Sequence, residues 1–123
     1  GLRLKEAADR AGKPIYLELS SVNPVFILPG ALRERIEAVA DELFASCSLG
    51  VGQFCTKPGL VVLLQDTSSH AFLEAVREHF AGPAGVLLGA GGVRAIARAV
   101  EEMQRHGARG LIGGEKIAGE GFR

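Results

Sequence analysis

Short apolar runs of strand length alternate along this sequence with segments whose apolar residues recur at helical spacing. The strongest helical segment is 31–48, where the apolar residues share one stripe and the charged residues lie largely outside it. The run Leu60–Leu64 is continuously apolar, which is typical of a strand covered on both faces. An order in which helices and strands alternate predicts an α/β protein, with helices flanking a layered sheet in three layers.

Further elements are predicted on both sides of that pair from apolar spacing and from glycine, proline and serine boundaries. In chain order, the sequence predicts helix 4–11, strand 15–19, strand 25–28, helix 31–48, strand 60–64, a helix capped by Ser68 or Ser69 that runs to Phe80, strand 85–88, a helix from Gly91 or Gly92 to Gly107, and strand 111–112.

The composition limits the classes of protein to which this chain can belong. Its 123 residues, 47% apolar and 23% charged, suffice for one globular core. The 14 basic and 14 acidic residues balance and neither sign forms a block, so no nucleic-acid partner is expected. No apolar run approaches the ~20 residues of a membrane-spanning helix, and the N-terminus lacks the pattern of a signal peptide. We therefore expect a cytoplasmic protein with no membrane partner.

The two ends of the sequence and its cysteines add two expectations. A helical pattern begins directly at Gly1, without an initiator methionine, so we expect a piece of a longer chain. Cys47 and Cys55 are eight positions apart, which makes neither a disulfide framework nor a zinc site.

Cys55 lies in the most informative stretch, 50–56, directly after the long helix. Its neighbouring glycines let the backbone pass close to a ligand or adopt positive φ, and a thiol in such a turn can be a nucleophile. A free cysteine is more often a small buried hydrophobe, and this residue alone favours that interpretation.

Glu18 lies within the apolar strand 15–19. A buried carboxylate is costly unless it is paired or protonated, so this residue could be a general base in apolar surroundings. The alternation with Tyr16 also permits a solvent-facing position, which the residues alone favour slightly.

Other polar residues give weaker signals. Cys47 falls on the apolar stripe of 31–48, which favours a core position. The glycine-rich segment 89–92 lacks the spacing of a dinucleotide-binding motif, and Asn23-Pro24 is typical of a turn. No metal site is predicted, because the three histidines lack ligand spacing and are expected at solvated helix positions: His70, His79 and His106.

Two segments taken together resemble the signature of the aldehyde dehydrogenase family. They are Glu18-Leu19-Ser20-Ser21-Val22-Asn23-Pro24 and Gly52-Gln53-Phe54-Cys55-Thr56. The family pattern is a Glu-Leu-Gly-Gly-Lys-like segment, then a helix, then Gly-Gln-x-Cys, and both occur here in that order. The resemblance covers essentially all 123 residues. Two serines and a valine, Ser20, Ser21 and Val22, replace the glycines and the lysine, which should narrow backbone freedom near the nicotinamide.

The resemblance implies roles for three residues. Cys55 would attack the aldehyde carbonyl to form a thiohemiacetal and then a thioester, and its backbone N–H would hold part of the oxyanion. Glu18 would activate the water that releases the acid. The Leu19 backbone would lie against the nicotinamide of NAD or NADP. The asparagine of the family's oxyanion hole would lie upstream of Gly1, so Asn23 is not that residue.

The resemblance also implies a domain arrangement and a substrate. Residues 1–17 would be the tail of the cofactor-binding domain, and 18–123 the first half of the catalytic domain. The motifs are similar to those of the branch that oxidises α-ketoglutaric semialdehyde, so a small-molecule aldehyde of that kind is the expected substrate. The full-length protein is expected to be a homo-oligomer.

Two other functions stay open. The chain as it stands could be a non-catalytic α/β domain, because half a cofactor site cannot position a hydride acceptor. A thiol redox module built from Cys47 and Cys55 is disfavoured, because the two are too far apart for the usual vicinal motif.

Overall fold

The computed structural model describes residues 1–115, 117 and 121–122. The mixture of helices and strands in these residues confirms the α/β class. The elements are α1 (Leu2–Arg10), β1 (Pro24–Ile27), α2 (Pro29–Ser48), a 3₁₀ turn over Leu49–Gly52, β2 (Leu60–Leu63), α3 (Thr67–Phe80) and α4 (Ala90–Arg105). All four predicted helices and the strands at 25–28 and 60–64 are therefore confirmed to within a few residues.

The sheet of the described residues consists of β1 and β2, which run parallel. Pro24 lies opposite Leu60, and Ile27 lies opposite Leu63. Parallel neighbours need a crossover connection, and α2 provides it. Pro29 ends the strand and begins this helix, a favourable position because its missing N–H would have no partner in the first turn. Within α2 the backbone leaves the helical region at Arg35, where the helix kinks.

The core lies between one face of this sheet and the helices α2 and α3. Its buried side chains come from all three of these: Ile27, Leu32, Val39, Ala40, Phe72 and Ala75. Val25, Val61 and Leu63 of the same sheet face are half-buried against them. Because side chains alternate along a strand, every second residue of β1 and β2 reaches this core.

The opposite face of the sheet is uncovered by the described residues. Phe26 is 68% exposed, and Leu60 and Val62 beside it are also exposed. The continuous apolar run at 60–64 predicted a strand covered on both faces, whereas these residues cover one. Of the three predicted layers, the described residues thus contain the sheet and the helices on one of its sides.

Asp66, rather than Ser68 or Ser69, caps α3. Its carboxylate accepts hydrogen bonds from the backbone N–H of Ser69 at 2.8 Å and from the Ser68 hydroxyl at 2.7 Å. The Ser69 hydroxyl in turn accepts from the Asp66 N–H at 3.0 Å, which completes a reciprocal capping box. The hydrogen bond from the Ser68 hydroxyl, and after it the one from the Ser69 N–H, hold the pKa of Asp66 below its usual value.

Three predicted strands do not form among the described residues. Residues 15–19 are irregular and pair with no described strand, and Tyr16 is 96% exposed. Leu87 makes one isolated antiparallel bridge to Phe122, with its N–H 2.8 Å from the Phe122 carbonyl, and 111–112 is irregular. A strand exists through hydrogen bonds to a neighbouring strand, and apolar alternation cannot supply that neighbour.

Candidate active site

The turn after α2 redirects the chain into the loop that carries Cys55. Gly50 and Val51 both have left-handed backbone angles, with φ of 57° and 59°. Glycine adopts this conformation freely, whereas a β-branched residue does so only under strain. The Val51 side chain lies against Gly85, close enough that a Cβ at position 85 would be 2.6 Å from Val51 Cγ1. The strained turn is thus packed against a second loop.

The segment 21–23 holds the backbone of the Cys55 loop through side-chain hydrogen bonds. The Asn23 amide nitrogen donates to the carbonyl oxygens of Cys55, at 2.7 Å, and Lys57, at 2.9 Å. The Ser21 hydroxyl donates to the same Cys55 carbonyl at 2.5 Å. We call these three hydrogen bonds the clasp. It joins the two segments that carry the sequence motifs.

A close backbone approach lies next to the clasp. The Gly59 N–H donates to the Val22 carbonyl at 2.7 Å, and a Cβ at position 59 would be only 2.5 Å from that oxygen. Such a distance is too short for any side chain, so glycine is required here. Residue 59 directly precedes β2, and residue 23 directly precedes β1. The contact therefore ties both motif segments to the starts of the paired strands.

Gln53 holds the other side of the same loop. Its side-chain nitrogen donates to the Gly50 carbonyl at 3.1 Å, and its side-chain oxygen accepts from the Leu88 N–H at 2.8 Å. The glutamine of the Gly-Gln-Phe-Cys segment thus links the left-handed turn to the segment that precedes α4.

The two cysteines have different surroundings. Cys55 is exposed and reduced, whereas Cys47 is half-buried on α2 as predicted. The Cys47 thiol donates weakly to the Pro58 carbonyl, with sulfur and oxygen 3.7 Å apart. Burial raises the pKa of Cys47, and the nearby Lys57 ammonium offsets this only in part. Since the thiolate is the nucleophile, Cys47 is poorly suited to react.

Glu18 and Leu19 lie on the irregular, exposed segment before the clasp. The described residues therefore do not form the predicted apolar surroundings of Glu18. Among these residues Glu18 faces solvent, which is the other alternative that the sequence left open. Ser21 is three residues further along and touches the Cys55 loop. Three residues span at most about 11 Å. The structure thus brings the segment of Glu18 to the cysteine loop, without a direct contact of the carboxylate.

The histidines differ in part from expectation. His70 and His106 are exposed, as predicted, but the His79 side chain is only 22% exposed and joins α3 to α2. Its Nδ1 lies 2.7 Å from the Ala75 carbonyl, and its Nε2 lies 2.5 Å from Asp41 Oδ1. The Ala75 carbonyl and then the Asp41 carboxylate raise the pKa of His79.

The described part of the chain contains neither a metal-ligand cluster nor a membrane-spanning helix. There, no three or more His, Cys, Asp or Glu side chains come together as a metal site requires. No helix in it combines the length and the apolar character needed to cross a bilayer.

Comparison with known proteins identifies the family to which this chain belongs. A sequence model of the aldehyde dehydrogenase family matches residues 1–122. The chain belongs to the aldehyde dehydrogenase family. This aldehyde dehydrogenase chain is 42% identical over 91 residues to alpha-ketoglutaric semialdehyde dehydrogenase 2 of Azospirillum brasilense. That alignment covers 72% of the chain and 17% of the relative.

Solved aldehyde dehydrogenases share the fold. An NAD-dependent aldehyde dehydrogenase from Sinorhizobium meliloti superposes with a TM-score of 0.80 at 23% identity, over 97% of this chain and 25% of that one. The NAD+ complex of an aldehyde dehydrogenase from Bacillus cereus gives 0.76 at 19% identity, over 99% and 26%. At these identities the likeness shows the fold alone. The chain thus spans about a quarter of those structures and less than a fifth of the curated relative.

Sequence reasoning missed two residues of the candidate site, Ser21 and Asn23. The sequence predicts no contact for either residue: Ser21 replaces a glycine of the motif, and Asn23 belongs to the same motif and to a turn but is not the oxyanion-hole asparagine. Asn23 indeed has a left-handed backbone, with φ of 50°. Asparagine is enriched at such positions, so its identity carried a local signal. The hydrogen bonds that reach 32 to 34 residues along the chain carried none.

Proposed function

We propose that this chain carries the nucleophile and the general base of an NAD(P)-dependent aldehyde oxidation, with Cys55 and Glu18 in those roles. The observation that supports this most strongly is the clasp, because it joins the Glu18 segment to the Cys55 loop across 34 residues of sequence. A nucleophile and a base act on one substrate only if their segments meet. Family membership supplies the reaction class.

In the first half of the proposed reaction, Cys55 attacks the aldehyde carbon. A sulfur–carbon bond forms as the carbonyl double bond becomes an oxyanion, which gives a thiohemiacetal. Among the described residues, the backbone N–H of Cys55 has no hydrogen-bond partner. It is therefore available to hold that oxyanion, which is the usual role of a backbone donor in acyl chemistry.

In the second half, Glu18 accepts a proton from water, and the oxygen attacks the thioester carbon. The carbon–sulfur bond then breaks, the carboxylic acid leaves, and the Cys55 thiolate is regenerated. The exposed position of Glu18 gives water access to the carboxylate. The acid thus carries one oxygen from the aldehyde and one from water.

NAD or NADP, when bound, would accept the hydride of the thiohemiacetal carbon and so provide the oxidation. The chemistry of the 15–20 segment fits one end of such a molecule. Among the described residues its peptide groups make no hydrogen bonds, and Leu19 is 55% exposed although its side chain touches Gly1. A partly exposed apolar side chain and free peptide groups suit a flat, polar-edged ring such as nicotinamide. We infer that Leu19 contacts it.

The proposed substrate is a semialdehyde such as α-ketoglutaric semialdehyde. The support is the name of the Azospirillum brasilense relative, together with the similarity of the motifs. We also propose that residues 1–17 end a cofactor-binding domain, that 18–123 begin a catalytic one, and that the full-length protein is a homo-oligomer.

The test is a pair of matched cysteine substitutions in the full-length protein that carries this chain. Cys55→Ala should abolish NAD(P)H production from α-ketoglutaric semialdehyde, because no other group replaces the sulfur. Cys47→Ala should leave at least half of the turnover, since that thiol is half-buried in α2. If Cys55→Ala retained turnover, Cys55 would not be the nucleophile.

One observation favours the second candidate, a non-catalytic role for the chain on its own. The outer face of the sheet is open, with Phe26, Leu60 and Val62 exposed. An exposed apolar patch of this kind marks a surface that another element covers. The 123 residues alone would then fold or associate without turnover, and activity would need the covering part.

A further inference from the structure

We propose that Asn23 and Ser21 are positioning residues, which orient Cys55 for attack by holding its carbonyl oxygen. This inference rests on the proposed function, because it assigns the clasp a role in that reaction. Neither residue touches the reacting atoms. Both act through the backbone of the loop, and Asn23 makes the larger share of the contacts.

The geometry of Asn23 fixes two peptide groups with one side chain. Its amide protons go to the carbonyls of Cys55 and Lys57, which flank Thr56. With both carbonyls held, the Cys55–Thr56 and Lys57–Pro58 peptide planes cannot rotate freely. The direction of the Cys55 side chain depends on the first of these planes. A shift of about 1 Å at a reacting atom can cost about 100-fold in rate.

Asn23 is itself held in place by the fold. Its backbone has φ of 50°, which asparagine tolerates better than most residues. Pro24 follows it and begins β1, which is paired with β2. The side chain is half-buried between these elements. The clasp therefore restrains the exposed Cys55 loop by bonding it to a residue that the sheet holds in place.

Ser21 adds a contact that the family pattern does not contain. It stands where the Glu-Leu-Gly-Gly-Lys-like pattern has a glycine, which has no side-chain donor. Its hydroxyl bonds the Cys55 carbonyl, so that oxygen has two donors. Ser21 is also three residues from Glu18. In this chain the clasp thus links the position of the base to that of the nucleophile.

The test compares variants of the full-length protein that carries this chain, assayed with α-ketoglutaric semialdehyde and NAD+. Asn23→Gly tolerates the positive φ but removes both donors. Ser21→Gly removes the hydroxyl, and Ser21→Thr retains it. We expect Asn23→Gly to lower kcat by about 10- to 100-fold and to leave KM within about threefold. The reason is that the misoriented thiol weakens stabilisation of the transition state but not binding of the substrate. Ser21→Gly should lower kcat by a smaller factor, and Ser21→Thr should keep kcat close to the wild-type value.

Two further measurements separate positioning from general damage. The rate at which iodoacetamide alkylates Cys55 can be followed by mass spectrometry, with Cys47 as internal reference. In Asn23→Gly this rate should stay within about twofold of the wild-type rate, because the thiol itself is unchanged. Hydrogen exchange of the amides in 53–59 should become faster. The control variant, Asp66→Ala, removes the cap of α3 and should lower Tm while leaving kcat within about twofold.

The outcomes are distinguishable. A wild type that turns over, with Asn23→Gly equally active, overturns the positioning role and leaves the proposed function intact. The same holds if kcat falls equally in Asp66→Ala, because general destabilisation then explains the loss. A wild type with no turnover overturns the proposed function, and this inference with it. A selective loss of kcat in the clasp variants, with Cys55 still alkylated normally, supports the proposal.

Discussion

The side-chain nitrogen of Asn23 lies 2.7 Å from the carbonyl oxygen of Cys55. This hydrogen bond joins two segments that are 32 residues apart in the sequence, one following Glu18 and the other carrying the cysteine. The strand β1 and the helix α2 lie between these two segments in the sequence, and β2 follows the second segment. The proposed nucleophile and base thus belong to one local structure, and several expectations rest on it.

Gly59→Ala should damage the same contact from the opposite side. A Cβ at position 59 would be 2.5 Å from the Val22 carbonyl oxygen, and backbone cannot yield as a side chain can. We expect a fall in kcat of about tenfold or more, since the motif segments must separate. The matched control is Gly82→Ala, where a Cβ meets nothing within 4 Å. Equal activity of both variants in the full-length protein would show that the close approach has no role.

Val51→Asn should stabilise the protein. Val51 holds a left-handed backbone with φ of 59°, which costs a β-branched residue roughly 1–2 kcal/mol. Asparagine adopts this conformation more readily, so Tm should rise, with Val51→Ile as a control that keeps the strain. The measurement is thermal unfolding of the full-length protein. If Val51→Asn unfolds at a lower temperature than the wild type, contact with Gly85 outweighs the strain.

The contact between α2 and α3 should weaken as the pH rises. The Ala75 carbonyl, then Asp41 and last Glu37, raise the pKa of His79 above the value of about 6.5 expected when unfolded. The stabilisation is therefore fully present below about pH 6.5 and is lost as the pH rises through the folded-state pKa. Amide exchange in α3, corrected for its intrinsic pH dependence, should report this loss. His79→Gln should abolish it, and an unchanged profile in that variant would contradict the assignment.

The isolated 123-residue chain should self-associate and lack dehydrogenase turnover. Its open sheet face exposes Phe26 and Val62, and strand edges and apolar patches of this kind promote association. Light scattering should show species larger than a monomer, and Phe26→Glu with Val62→Lys should reduce them. Glu6→Lys on α1 is the control. A monodisperse monomer, or clear NAD(P)H production from the isolated chain, would refute this expectation.

The sequence predicted those parts of the fold that depend on local pattern. Helices α2 and α3 followed from apolar spacing, and β1 and β2 from short apolar runs between glycine and proline boundaries. The strand at 15–19 was wrong because its existence depends on a neighbouring strand, which lies outside local pattern. The cap of α3 was misplaced by two residues or more because aspartate and serine are both good N-caps, and the carboxylate of Asp66 took the position.

The candidate site was predicted by residue identity but not by geometry. The motifs around Glu18 and Cys55 pointed to the family, and the family model confirms that resemblance. The roles of these two residues stay predictions. The clasp could not be predicted, because side-chain bonds to a distant backbone leave no periodic trace. Only Asn23, a residue type that tolerates positive φ, offered a local hint.

The most direct measurement is trapping of the acyl-enzyme in Glu18→Gln of the full-length protein. Without the base, attack by Cys55 and oxidation should proceed once, whereas hydrolysis of the thioester should be slow. Mixed with α-ketoglutaric semialdehyde and NAD+, the variant should release a burst of about one NADH per active site. Peptide mass spectrometry should then find the acyl group on Cys55. The account would be contradicted if Glu18→Gln kept turning over at the wild-type rate, or if the acyl group were found on any residue other than Cys55.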